Sequence, residues 1–231
     1  MNCSKFIAVL FMFCTVYVAV GCQSTKISKY EVTNEEFRKF LSDVEMDSEF
    51  LDSHESWAKV SAHSDVMVMS KHYFSHPAFN DYPVVNVSLD LAKQYCAWMT
   101  SQKSSNKKRI TYRLPTLEEY EKMFTSNKTV MSSDYYEDYT CRELVNLKYL
   151  SHQDSLYNFA ADGAFFTNDV HKTKKVNGIY GLIGNVSEIT SEGSIVGGNW
   201  DSLPSEVFAV KKYDAPDPRI GFRVVVEKWK R

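Results

Sequence analysis

The 231-residue sequence predicts a mixed α+β fold in a single domain of low regular secondary structure, on three observations. Short helical stretches are announced by hydroxyl caps, glycines punctuate short extended runs after residue 178, and regular strand–helix alternation is missing. A doubly wound parallel sheet would need that alternation, so it is excluded. About 210 residues beyond an apolar leader suffice for one sizeable core.

The first element read from the sequence is a short strand at 30–32. Thr33 then caps a helix, with Glu36 in the capping-box position and Phe37, Phe40 and Leu41 as its buried stripe. Residues 43–81 show no clear period and read as loop. The run 83–87 alternates as a strand, and Ser88 caps a helix in which Leu89, Ala92, Tyr95, Cys96 and Met99 follow helical spacing. Residues 103–108 read as a solvated basic turn. Thr116 caps a third helix, with Glu119 three residues on. Gly197 and Gly198 read as sites of positive φ or close backbone approach. Arg223, next to an apolar residue, reads as a cation paired with a buried carboxylate, Glu188 or Asp217, or with carbonyl groups, and Arg113 as a cation of similar structural use.

The ends of the chain carry a separate signal. Residues 1–21 hold one charge, Lys5, and a nearly all-apolar run too short to span a membrane. The run closes in Ala19-Val20-Gly21-Cys22, which resembles a bacterial lipobox. That resemblance implies a signal peptide at 1–21, lipidation of Cys22, a polar tether at 22–29 and the folded domain at 30–231. Several acyl chains on one residue anchor firmly, each buried methylene adding about 0.8 kcal/mol. Gln23 after the lipid-bearing cysteine favours an outer membrane. The expected location is thus the bacterial cell envelope, exported and lipid-anchored. The net charge of −2, with no basic stripe, excludes a nucleic-acid partner from the expectation. Cys96 and Cys141 remain once the leader and Cys22 are set aside. Cys96, on the apolar side of its helix, reads as a buried thiol, with a Cys96–Cys141 disulfide left open.

Six short signatures occur in order: Tyr30-Glu31-Val32-Thr33-Asn34, Pro83-Val84-Val85-Asn86-Val87-Ser88, Arg113-Leu114-Pro115-Thr116, Gly184-Asn185-Val186-Ser187-Glu188, Val196-Gly197-Gly198-Asn199-Trp200 and Gly221-Phe222-Arg223. Together they resemble the formylglycine-generating enzyme (sulfatase-modifying factor) family, whose fold is related to C-type lectin-like domains. In the catalytic members a cysteine pair follows the Gly-Gly segment and binds copper(I), a soft ion that selects thiolates. By spacing from Trp200, the resemblance assigns those positions to Ser202 and Val207. A hydroxyl and a branched hydrocarbon cannot hold copper(I), so copper and the family's oxidation of sulfatase cysteines are not expected.

The resemblance also implies two calcium sites. One would use the carbonyls of Gly184 and Val186 and the carboxylate of Glu188, but Gly181 stands where the family supplies an Asp or Asn ligand. The other would use Asn158, the Phe159 carbonyl and Asp162; there calcium and a turn held by hydrogen bonds alone are both left open, whereas the first site reads as such a turn. The six histidines show no metal-ligand spacing beyond His72 and His76, which read as surface residues on a loop.

Two functions compete. The first is a non-catalytic, lipid-anchored binding or scaffold module whose partner is an envelope protein or glycan. Its contact surface is expected along Trp200, Asp201, Ser202, Glu206, Phe208, Lys211 and Lys212, where the family groove would lie. The second is an enzyme with a non-standard site, for which Ser202 with Asp201 or Glu206 are the nearby groups.

Overall fold

The structure, a computed structural model, describes residues 23–60, 65–105, 109–125, 145–150, 157–158, 164 and 166–229. The elements run β1 (Gln23–Ile27), α1 (Asn34–Asp43), α2 (His54–Ala58), α3 (Asp65–His72), α4 (Leu89–Lys103), β2 (Arg109–Arg113) and α5 (Leu117–Thr125). Then follow β3 (Tyr149–Leu150), β4 (Tyr157–Asn158), β5 (Lys175–Val176), β6 (Ile179–Tyr180), β7 (Ser187–Ile189), β8 (Ser194–Val196), β9 (Lys211–Lys212), β10 (Ile220–Gly221) and β11 (Val225–Trp229). One sheet has the order β1-β11-β2, all antiparallel, and a second has the order β10-β7-β8-β9, with only β10 and β7 parallel.

All three capped helices form as read. Thr33 Oγ1 accepts from the Glu36 amide at 3.3 Å while the Thr33 amide donates to Glu36 Oε2 at 3.1 Å, so two orphan donors are satisfied reciprocally. Ser88 Oγ accepts from the Leu91 amide at 3.1 Å. At α5 the Glu119 amide donates to Thr116 Oγ1 at 3.1 Å and the Thr116 amide to Glu119 Oε2 at 2.8 Å. Arg113 then binds Glu119 (Nη2 to Oε1, 2.7 Å) and Glu227 (Nε to Oε1, 2.8 Å), tying the start of α5 to β11.

The stripes of α1 and α4 meet in an aromatic core. Phe37 stacks on Tyr95 at 5.6 Å, and Phe222 meets both rings edge-on at 6.0 and 5.5 Å. Full burial of one such side chain contributes roughly 1.5–3 kcal/mol, so this contact fixes how the two helices pack. Cys96 lies in the same cluster, a buried free thiol whose pKa burial pushes up to about 12. Cys141 lies outside the described residues.

Three sequence readings are corrected. The segment 23–27, read as polar tether, is strand β1, paired along its whole length with β11 (Gln23 opposite Trp229, Ile27 opposite Val225). The runs 30–32 and 83–87 do not form strands; they meet only in an isolated Thr33–Pro83 bridge and the bond from Val84 N to Val32 O at 2.8 Å. Pro83 has no amide to extend a ladder, and Asn86 turns the chain at φ 60°. The loop expected at 43–81 contains α2, α3 and 3₁₀ turns at Glu49–Leu51 and Pro77–Phe79. The helices are short, and Trp57 of α2 and Tyr73, just past α3, bury against each other at 5.2 Å in a cluster gathered from distant segments, which leaves no long periodic stripe in the sequence.

Candidate functional site: a polar cleft beside the double-glycine turn

The chain reverses after β8 through Gly197 and Gly198, at φ 90° and 67°. The reversal delivers residues 199–206 to the sheet β10-β7-β8-β9, where Asp201, Ser202, Glu206, Lys211, Asp217 and Arg219 line a cavity of about 310 Å³. Ser202 closes a turn on Asn199: its amide donates to the Asn199 carbonyl at 2.8 Å and its Oγ accepts from the Asn199 amide at 3.1 Å. Val207 is fully buried behind Gly198, where a Cβ would stand 3.2 Å from Val207 Cα.

Charges in the cleft are interlocked. Asp201 receives Lys148 Nζ on Oδ1 at 2.8 Å and Arg219 Nη1 on Oδ2 at 3.2 Å. Arg219 also grips Asp217, Nε to Oδ1 and Nη2 to Oδ2, both at 2.8 Å. Asp217, and then Asp201, hold the guanidinium pKa above its ordinary value. Glu206 lies below the ordinary carboxylate range, first because it accepts the Leu203 amide (2.9 Å) and then because Lys211 Nζ stands 3.5 Å away. The site therefore presents fixed charges of both signs at neutral pH, and no histidine lines it among the described residues.

The structure brings together four of the seven residues expected at a contact surface: Asp201, Ser202, Glu206 and Lys211. Trp200 is a correction, for it is 2 % exposed, lies edge-on to Phe166 at 5.1 Å and donates its indole N–H to the Pro218 carbonyl at 3.4 Å. Phe208 is another, packed edge-on against Phe124 at 5.6 Å on the second core cluster. Lys212 is exposed on β9 but does not line the cavity. Asp217, read only as a candidate partner of Arg223, and Arg219 were not expected in the cleft; the clue was a charged Asp-Pro-Arg run one residue before the Gly-Phe-Arg signature.

Below the cleft sits a buried ionic cluster. Arg223, wholly buried, donates Nε to Glu188 Oε2 at 2.5 Å and bonds Glu188 Oε1 through Nη2, while Tyr120 donates its hydroxyl to the same carboxylate. Glu188 is thus the partner of Arg223, and Asp217 serves Arg219 instead. Arg223 Nη2 also reaches the carbonyls of Tyr180 (2.9 Å) and Gly181 (3.1 Å).

The family model for the sulfatase-modifying factor enzyme 1-like domain matches residues 18–228. The chain belongs to this family. No sequence among the curated proteins matches it. Among solved structures, CarF is 20% identical over 87% of this chain and 85% of its own, with a TM-score of 0.55. PvdO from Pseudomonas aeruginosa is 19% identical over 88% of this chain and 80% of its own, with a TM-score of 0.57. At these identities the likeness concerns the fold, which is that of the sulfatase-modifying factor domain.

A calcium ion does not fit the first site that the sulfatase-modifying factor resemblance assigns. Both Glu188 oxygens are taken by Arg223 and Tyr120, and a buried guanidinium beside them opposes a second cation. Of the other set, Asn158 ends β4, while Phe159 and Asp162 lie outside the described residues. His72 ends α3 and His76 caps the turn Pro77–Phe79, its Nδ1 accepting from the Ala78 amide at 3.1 Å. A group that spacing did not reveal, Asp81, Asp169 and His171, brings ligand atoms within 4.8 Å of one another, but His171 and Lys172 already engage Asp169. No helix among the described residues is long and apolar enough to cross a membrane.

Proposed function

We propose that the protein is a non-catalytic binding module of the sulfatase-modifying factor family, lipid-anchored through Cys22 at the bacterial cell envelope, whose polar cleft receives a peptide segment of an envelope partner. One observation carries this reading. The positions that the resemblance assigns to the copper-binding cysteines hold Ser202, whose hydroxyl closes a backbone turn, and Val207, buried behind Gly198. Neither offers a thiolate, and Cys96 belongs to the α1–α4 core rather than to the cleft lining. Copper(I) does not fit this donor set.

The cleft's composition favours a ligand with both donors and acceptors. Its acids and bases neutralise one another pairwise, so a strongly charged ligand would have to break ion pairs to enter. A peptide backbone, polar and uncharged, can be read by Asn199, Ser202 and the edges of those pairs without breaking them.

The test has two parts. The processed chain is incubated with a sulfatase Cys-x-Pro-x-Arg peptide, copper and oxygen, and the peptide mass is followed. The expected result is no conversion of thiol to aldehyde, and product formation overturns the reading. A photo-crosslinker at Lys211 in intact cells is then expected to capture one peptide-containing adduct, lost on Asp201→Ala. Capture that is unaffected by Asp201→Ala removes the cleft as the binding surface.

A further inference from the structure

The antiparallel order β1-β11-β2 collects three strand ends at one edge of the sheet. The first residue of β1, Gln23, stands opposite Trp229, the last of β11, and Trp229 stands opposite Arg109, the first of β2. Cys22 directly precedes Gln23 in the sequence, Lys230 and Arg231 directly follow Trp229, and Lys107 and Lys108 directly precede Arg109. Lys228 is exposed in the next rung, and Lys103, also exposed, ends α4, the element that precedes β2. The first acid met on these strands is Glu227, turned inward to Arg113 at 2.8 Å. A chain with more acids than bases thus sets Arg109 and exposed Lys228 at the edge where β1 starts.

The aromatic residue there has a matching character. Arg109 lies over the half-buried Trp229 ring at 5.3 Å, and the indole N–H, itself shielded from solvent, has no hydrogen-bond acceptor among the described residues. A tryptophan at the rim, with cations beside it, is the composition that settles at the headgroup level of a bilayer.

We infer that this edge, centred on Arg109, Lys228 and Trp229, is a membrane-facing rim that rests on anionic phospholipid headgroups. The inference rests on the anchoring of Cys22, since acyl chains joined at that residue leave no spacer between lipid and strand. It goes beyond anchoring by fixing which face of the domain looks at the bilayer. The basic side chains are drawn to the phosphates and Trp229 enters the interfacial layer. A rim cation within a Debye length of an anionic surface strengthens binding by roughly fivefold.

Two readouts separate the anchor from the rim. Full-length chain expressed in bacteria with an alkynyl palmitate is expected to take label, and Cys22→Ser to abolish it; a label that survives Cys22→Ser overturns the anchor. Separately, the processed chain carrying Cys22→Ser, and so without lipid, is sedimented with vesicles of phosphatidylcholine alone or mixed with phosphatidylglycerol. The expected result is salt-sensitive binding to the anionic vesicles only, lowered about 25-fold by Arg109→Ala with Lys228→Ala. Lys228→Glu, an exposed position, is expected to lower it as well with an unchanged circular dichroism spectrum. Equal binding to both vesicle types, binding to neither, or an unchanged affinity in the folded variants overturns the rim whatever the palmitate label shows.

Discussion

The Glu31 carboxyl group occupies the space in which a side chain at Gly181 would begin, for a Cβ there would lie 2.7 Å from Glu31 Cδ. Gly181 also sits at φ 57°, so both sterics and backbone require the glycine. Read along the sequence, Gly181 was a missing calcium ligand. In the fold its bare α-carbon admits a carboxyl group from 150 residues earlier in the chain, beside Asn185 (Nδ2 to Oε1, 3.0 Å) and the Arg223–Glu188 pair.

Glu31 makes stability depend on pH. Burial, opposed by Arg223 and reinforced by Glu188, raises its pKa from 4.5 to about 7. The folded state therefore holds a proton that the unfolded chain releases, and this contribution is full below about pH 4.5 and lost as pH rises through about 7. Glu31→Gln keeps the acceptor for Asn185 and removes the titration. Thermal melts are expected to show a gain in Tm of ~5 °C for the variant at pH 8, shrinking towards pH 5.

Arg223 is a buried cation whose loss strands several groups. Arg223→Met leaves Glu188 charged and unpaired and the carbonyls of Tyr180 and Gly181 without their donor. Urea titration is expected to show a loss of about 3–5 kcal/mol. Arg223→Met combined with Glu188→Met is expected to lose less than Arg223→Met alone, because the orphaned charge is gone.

Gly198→Ala is expected to destabilise by roughly 1–3 kcal/mol, since it forces a left-handed conformation and a contact with Val207. Adding Val207→Ala should recover the steric part and leave the backbone part. A double-mutant cycle in urea measures that coupling, expected to exceed about 0.5 kcal/mol.

Ser202 at the cleft wall bonds Asn199, and Val207 in the core behind it packs against the adjacent Gly198, so two thiols at these positions would both adjoin the double-glycine turn. Ser202→Cys with Val207→Cys is expected to retain one copper(I) per chain after gel filtration under reducing conditions. The unaltered chain is expected to retain none, and either single variant much less than the pair.

What the sequence disclosed depended on how local each interaction is. The three capped helices were legible because Thr33 with Glu36, Ser88, and Thr116 with Glu119 act within one turn. Strand β1 was not, since Gln23-Ser24-Thr25-Lys26 reads as polar linker until β11, some 200 residues away, supplies its hydrogen-bond partners. Arg223 was recognised as a cation with a buried partner, but that partner had to be chosen from two acids or carbonyl groups, and only the fold assigns Glu188 to it and Asp217 to Arg219. In the cleft, Asp201, Ser202, Glu206 and Lys211 were reached only through the resemblance, which lays the family groove along the run that starts at Trp200. Trp200 and Phe208 were misplaced because an aromatic side chain in a polar run looks the same whether it faces solvent or plugs a core.

Strand β9 forms an outer boundary of its sheet, and both of its residues are exposed lysines. A second copy approaching along that boundary would set ammonium groups against ammonium groups before any backbone pairing could begin. Copies of the chain are thereby kept from zippering into fibres through this side of the sheet.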